Sequence, residues 1–189
     1  MKRLLTVLAA CVLALGSATA LAADSAPATP VTKLGVFMAK RGTLVVKDFY
    51  DLGAINGVKL TIEALCLYEP GQEKDRIRGL RVEVSQYRSG LGTETHASFL
   101  DLDEAESLSQ ALGYLIELGT KWANTDREYT EVTFSTKDEF QIGFYQSGRE
   151  QKAFASSGTV GKTSAFFDMA KLSDVKATVD KGLALLGNK

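Results

Sequence analysis

The chain has 189 residues, with 22 basic side chains against 23 acidic ones and 45% hydrophobic residues. That near-neutral, slightly acidic balance excludes a surface that gathers polyanions by bulk field, and the length suits one domain, or two small repeats around a shared core. Two cysteines and one histidine leave little material for a disulfide framework, a zinc site or a histidine-activated nucleophile.

Met1-Lys2-Arg3, an apolar run from Leu4 to Leu15 and the small residues ending Ala20-Leu21-Ala22 read as a secretory signal peptide over residues 1–22. The run is short of the ~20 apolar residues a membrane span needs, and no later segment reaches that length. Leu8-Ala9-Ala10-Cys11 is similar to a bacterial lipobox, but Cys11 comes very early and Val12–Leu15 would then open the mature chain, so cleavage after Ala22 is the better reading. Loss of Lys2 and Arg3 leaves 20 basic residues against 23 acidic, a net charge of −3. The expected compartment is the periplasm or the cell exterior. Cys66 remains as the one thiol, so no internal disulfide is available.

Residues 23–33 are rich in Ala, Pro and Thr and read as a flexible leader. A first half is expected over 34–124. Thr43–Tyr50 is β-branched and aromatic, and Ala54-Ile55-Asn56-Gly57 ends in a turn dipeptide. Val58–Tyr68 is the longest strand pattern, with Cys66 on the same face as Leu60, Ile62 and Ala64. Glu69-Pro70-Gly71 closes it, Ile77–Tyr87 alternates, and Ser89–Thr93 turns the chain into Glu94–Leu100. An amphipathic helix follows, with Ala105, Leu108, Leu112, Leu115 and Gly119 on one stripe and Asp101 in the N-cap position.

The second half, 125–189, repeats the scheme. Strands are expected at Tyr129–Ser135, Phe140–Gln146, Lys152–Ala155 and Thr163–Phe167. A helix then carries Leu172, Val175, Val179, Leu183 and Leu186 on one stripe, with Asp168 as its cap. Phe99 corresponds to Phe166 and Asp101 to Asp168 at a constant offset. Short strands joined by tight turns imply antiparallel meanders, so the expected class is α+β: two ββββα pseudo-repeats, each sheet covered by an amphipathic helix.

That order, ββββα twice, resembles the Whirly and PUR-type single-stranded nucleic-acid-binding folds. The resemblance covers nearly the whole mature chain and implies two curled sheets with two helices between or beside them. It lies in element order alone, and an acidic chain lacks the basic groove such binding needs. Phe99-Leu100-Asp101 and Phe166-Phe167-Asp168, each before an apolar-striped helix, also resemble a motif of secreted bacterial proteins of no assigned activity.

Gly161-Lys162-Thr163 ends like a Walker A loop, but Ser156 stands where the pattern needs Gly, and a strand rather than a helix follows. Asp101, Asp103, Glu104 and Glu106 would fail as an EF-hand, having Glu106 and Leu112 at the positions for Gly and Glu, and suit a helix N-terminus. His96 has no G-x-S-x-G elbow to serve. No catalytic, cofactor-binding or metal-binding residue is therefore assigned.

Phe140, Phe144, Phe154 and Phe166 fit one core face; Leu65, Leu67, Leu100, Tyr145 and Phe167 then point the other way. A strand apolar on both faces lies under a second internal layer or offers a patch to a partner. The second alternative makes those five residues a candidate partner patch. The functional expectation is an exported, cofactor-free, non-enzymatic binding module for an unknown protein or small ligand, with a homo-oligomer left open. An envelope hydrolase using carboxylates or His96 is the alternative, and single-stranded nucleic-acid binding stands third.

Overall fold

The computed structural model describes residues 31–158 and 161–188, so the expected signal peptide and most of the leader lie outside the described residues. A short helix α1 (Lys33–Met38) precedes strands β1 (Val46–Ala54), β2 (Leu60–Tyr68), β3 (Ile77–Arg88) and β4 (Gly92–Asp101) and helix α2 (Leu102–Trp122). Then come β5 (Arg127–Ser135), β6 (Gln141–Gly148), β7 (Glu150–Ser157), β8 (Thr163–Phe167) and helix α3 (Lys171–Gly187). Each set of four strands forms its own sheet in sequence order, and every pairing is antiparallel. The class is α+β, with the ββββα unit present twice.

The turns follow from local chemistry. Asn56-Gly57 delivers the chain from β1 to β2 with Gly57 at φ +76°, a conformation that only a residue without Cβ adopts freely. Between β5 and β6, the Thr136 N–H donates to the Phe140 carbonyl at 2.9 Å and closes the hairpin.

The two helices do not stay with their own halves. The stripe of α2, Ala105, Leu108, Leu112 and Leu115, is buried as expected, but the helix touches strands of both sheets. The Trp122 ring meets Phe144 of β6 edge to face at 5.8 Å. Helix α3 lies across β1, β2 and β3 of the first sheet. A Cβ on its Gly182 would stand 2.8 Å from Leu52 and 2.9 Å from Leu80, which fixes how close the helix can come. Arg78 donates to the Leu186 carbonyl at 2.8 Å, a cation on a helix C-terminus. One apolar cluster therefore runs from Leu60, Ile62 and Leu80 through Leu112 and Val179 to Phe140, Phe144 and Phe167.

Two expectations about caps are corrected. Asp101 does occupy the N-cap position of α2, yet its side chain makes no capping bond there. Its oxygens instead accept the Lys33 and Leu34 N–H groups at 2.9 and 3.0 Å, so it caps α1 from across the sheet. Asp168 is not the cap of α3, which begins at Lys171 with Ala170 in the cap position.

Helix α1 is absent from the sequence-based expectation, which extends a flexible leader to residue 33. Thr32 is buried and accepts the Gly35 N–H at 3.0 Å, so order begins before that limit. Leu34 and Phe37 lie on the outer face of the first sheet with Leu65 and Leu67, and Met38, Val45, Ile77 and Phe99 pack around them. The two-faced strand β2 thus has its second layer inside the molecule.

Candidate functional site

The five residues of the expected patch do not come together. Leu65 and Leu67 are fully buried beneath α1, and Leu100 and Phe167 belong to the main core. Only Tyr145 reaches the outer face. The cause is the phase of two strands. In β8, Thr163, Ala165 and Phe167 are buried while Ser164 and Phe166 point out, and in β4 Ser98 and Leu100 are buried while Phe99 points out. Adjacent apolar residues at Phe99-Leu100 and Phe166-Phe167 make either phase plausible from sequence.

Correcting that phase exposes a different surface. The outer face of the second sheet carries one aromatic ring per strand: Tyr129 on β5, Tyr145 on β6, Phe154 on β7 and Phe166 on β8. Register makes the run continuous. Glu131 pairs with Tyr145, so Tyr129 is the diagonal neighbour of Tyr145; Gly143 pairs with Phe154, so Tyr145 is the diagonal neighbour of Phe154; and Phe154 pairs directly with Phe166. The tyrosine rings stack with centroids 6.1 Å apart, and the phenylalanine rings lie tilted at 6.4 Å. Tyr129 is 62% exposed and Phe166 60%.

Polar groups border the rings of this face. The Tyr129 hydroxyl donates to Glu131 at 3.1 Å, and that hydrogen bond to a carboxylate pushes the phenol pKa up. Thr133 donates to the same carboxylate at 2.9 Å. Lys162 donates to Gln141, and Lys152 donates to Asp168 at 2.7 Å, a bond that draws the Asp168 carboxyl below its usual range. Ser156 sits in the same face with 2% exposure, and its Oγ has no hydrogen-bond partner. Glu131, Gln141, Ser156, Lys162 and Ser164 line a shallow groove of about 300 Å³ together with the four rings.

The other sequence-based candidates lie elsewhere. His96 is half-buried at the junction of the sheets, against Gly158, where a Cβ would collide with its imidazole. Gly161 adopts φ +69° in the turn leading into β8, so Gly161-Lys162-Thr163 is a strand entrance. Cys66 is buried on the core face of β2. In the acidic cluster, Glu104 accepts the Lys137 N–H at 2.8 Å from the β5–β6 turn. Among the described residues no group of three or more His, Cys, Asp or Glu could hold a metal ion, and no helix is long and apolar enough to cross a membrane. A cleft of about 430 Å³ beside the α2 N-terminus gathers Lys33, Arg76, Arg78, Asp101, Asp103 and Glu106. Asp101 there is occupied with α1 and Arg78 with α3, so the cleft is part of the scaffold.

Tyr129 is the candidate-site residue that the sequence reading left out, and Phe154 and Phe166 are the two it put on the core face; in β7 Ala153 and Ala155 take the core positions and turn Phe154 outward. The available signal was the offset itself: with Phe99 on the outer face, its counterpart Phe166 belongs there too. No family model matches the chain, and neither a curated protein nor a solved structure matches it.

Proposed function

We propose that the chain is an exported, non-enzymatic binding module that takes its ligand on the outer face of the β5–β8 sheet. The observation that carries this reading is the run of four rings, one per strand, with Tyr129 and Phe166 open to solvent, Tyr145 and Phe154 half-buried between them, and polar groups on its borders. Exposed rings in water cost solvation, and aromatic side chains with hydroxyl partners are the usual material of recognition surfaces. On the first sheet α1 covers the part of the corresponding face around Leu65 and Leu67, while the single ring of Phe49 on β1 stays exposed beside it. Export is supported by the pattern of residues 1–22.

The test is an amide NMR titration of the mature chain with three probes: cellohexaose, a twelve-residue oligothymidylate and an extended hydrophobic peptide. The reading expects at least one probe to shift residues of β5–β8 around Tyr129, Tyr145, Phe154 and Phe166. Shifts that collect around His96 or the α2 N-terminus would sink it, as would silence with all three.

A further inference from the structure

We infer that the ligand of this face is a neutral, linear polysaccharide lying diagonally across the four strands; the inference rests on the reading above that the face is where the module binds. The rings form a line. Tyr129 and Tyr145 stand 6.1 Å apart and Phe154 and Phe166 6.4 Å apart, with Tyr145 and Phe154 diagonal neighbours between them, so a straight chain of ring-shaped units meets one platform after another, whereas a compact molecule covers one or two. A pyranose unit carries C–H groups on its faces and hydroxyls around its edge. Aromatic faces take the first, and hydrogen-bonding side chains beside the rings take the second.

The groove supplies such side chains. Glu131, Gln141, Lys162 and Ser164 line it, and Ser156 Oγ is buried in it without a partner. Buried hydroxyls are almost always paired in folded proteins, so this one points to a group that arrives from outside. A ligand hydroxyl can take that place, displacing water.

Charge and shape exclude two competitors. The charged groups of the face are Glu131, Glu150, Lys152, Lys162 and Asp168, three acidic against two basic, with Lys152 already bonded to Asp168. A single-stranded nucleic acid would stack on the rings equally well but would find no net positive charge for its phosphates. A helix docked as α1 docks on the first sheet needs a free receptor. There, Asp101 takes the helix N–H groups and Gly79, directly across the ladder from it, leaves room for Leu34. In the second half the corresponding carboxylate, Asp168, is already bonded to the Lys152 ammonium, and β7 carries that lysine rather than a glycine beside it.

The experiment is affinity electrophoresis of the mature chain in native gels cast with hydroxyethyl cellulose, glycol chitin, galactomannan or dextran. It is repeated with Tyr129→Ala, Phe166→Ala and Ser156→Ala, whose folding is checked by thermal unfolding. Retardation by at least one polysaccharide is expected, unchanged by 0.5 M salt. It should weaken about tenfold for each ring variant and severalfold for Ser156→Ala. Retardation by none of the four overturns the inference. So does binding of the oligothymidylate alone, or self-association in sedimentation that Phe166→Ala abolishes, although either result leaves a binding face standing. If the ring variants alter none of these interactions, the binding face itself is wrong.

Discussion

Leu34 of α1 fills the space that a side chain on Gly79 of β3 would need: a Cβ built there stands 2.5 Å from Leu34 Cδ1. It would also meet the Leu100 carbonyl, which is backbone and cannot step aside. Gly79→Ala should therefore destabilise the fold by about 1–3 kcal/mol, the usual cost of overpacking, and should lift α1 from the sheet. Urea unfolding measures the first effect, and faster proteolysis around residues 39–45 reports the second. An alanine variant as stable as the parent would show that α1 is not packed there.

Asp101 and Asp168 hold corresponding places in the two halves but opposite stakes. Asp101 is buried and accepts two backbone N–H groups of α1. Asp101→Ala should cost about 1–3 kcal/mol, because one buried and one part-buried donor lose their acceptor, and should speed amide exchange at Lys33 and Leu34. Asp168 has an exposed side chain that pairs with Lys152 at the surface. Asp168→Ala should leave the urea midpoint where it is. Equal effects at the two positions would contradict this division.

Ser98 of β4 and Ser157 of β7 share a hydrogen bond of 2.7 Å between buried hydroxyls, one from each sheet. Either single change to Ala strands the other hydroxyl and should cost about 1–2 kcal/mol. The double variant should cost much less than the two singles together. Strict additivity in that double-mutant cycle would mean the hydroxyls do not interact.

Asp138 accepts the Phe99 N–H at 2.7 Å, joining the β5–β6 turn to β4. Burial pushes its carboxyl above the ordinary value of 3.8; the Phe99 N–H opposes the rise, and Glu104 and Glu139 add to it. A carboxyl raised on folding holds its proton more readily in the folded chain. Its contribution to stability is therefore greatest below the ordinary Asp range and is lost as pH climbs from 3.8 through the raised value. Asp138→Asn keeps an oxygen for Phe99 and removes the titration. The variant should gain on the parent as pH rises through that window, read from urea midpoints between pH 3.5 and 7. A constant difference across that range counts against the raised carboxyl.

Much of the fold was legible because strands and helices announce themselves locally. The stripe from Ala105 to Leu115 and the alternation through Val132, Phe134, Ile142 and Phe144 depend on neighbours in sequence. Helix α1 was not legible, since six residues including Gly35 have no strong local preference and rely on Asp101, 67 residues away from Leu34, for their cap. The same distance hid the fate of Leu65 and Leu67: a strand apolar on both sides says that two layers exist, while only the tertiary fold says what the second one is. The ring face was lost for a narrower reason. Phe166 and Phe167 are consecutive and equally apolar, and choosing the wrong one for the core reverses every other side chain of that short strand.

The crossing of α3 onto β1–β3 has a consequence for how the chain is made. During synthesis the first sheet leaves the ribosome with one surface bare, and the segment that closes it emerges only after the whole second sheet. Contacts such as Leu52 with Gly182 and Arg78 with Leu186 span more than a hundred residues, so the nascent first half must wait, apolar side open, until α3 has been made. A chain that stops short of Leu186 would lack the segment that shuts the first sheet, and such chains should be cleared by proteases or held by chaperones.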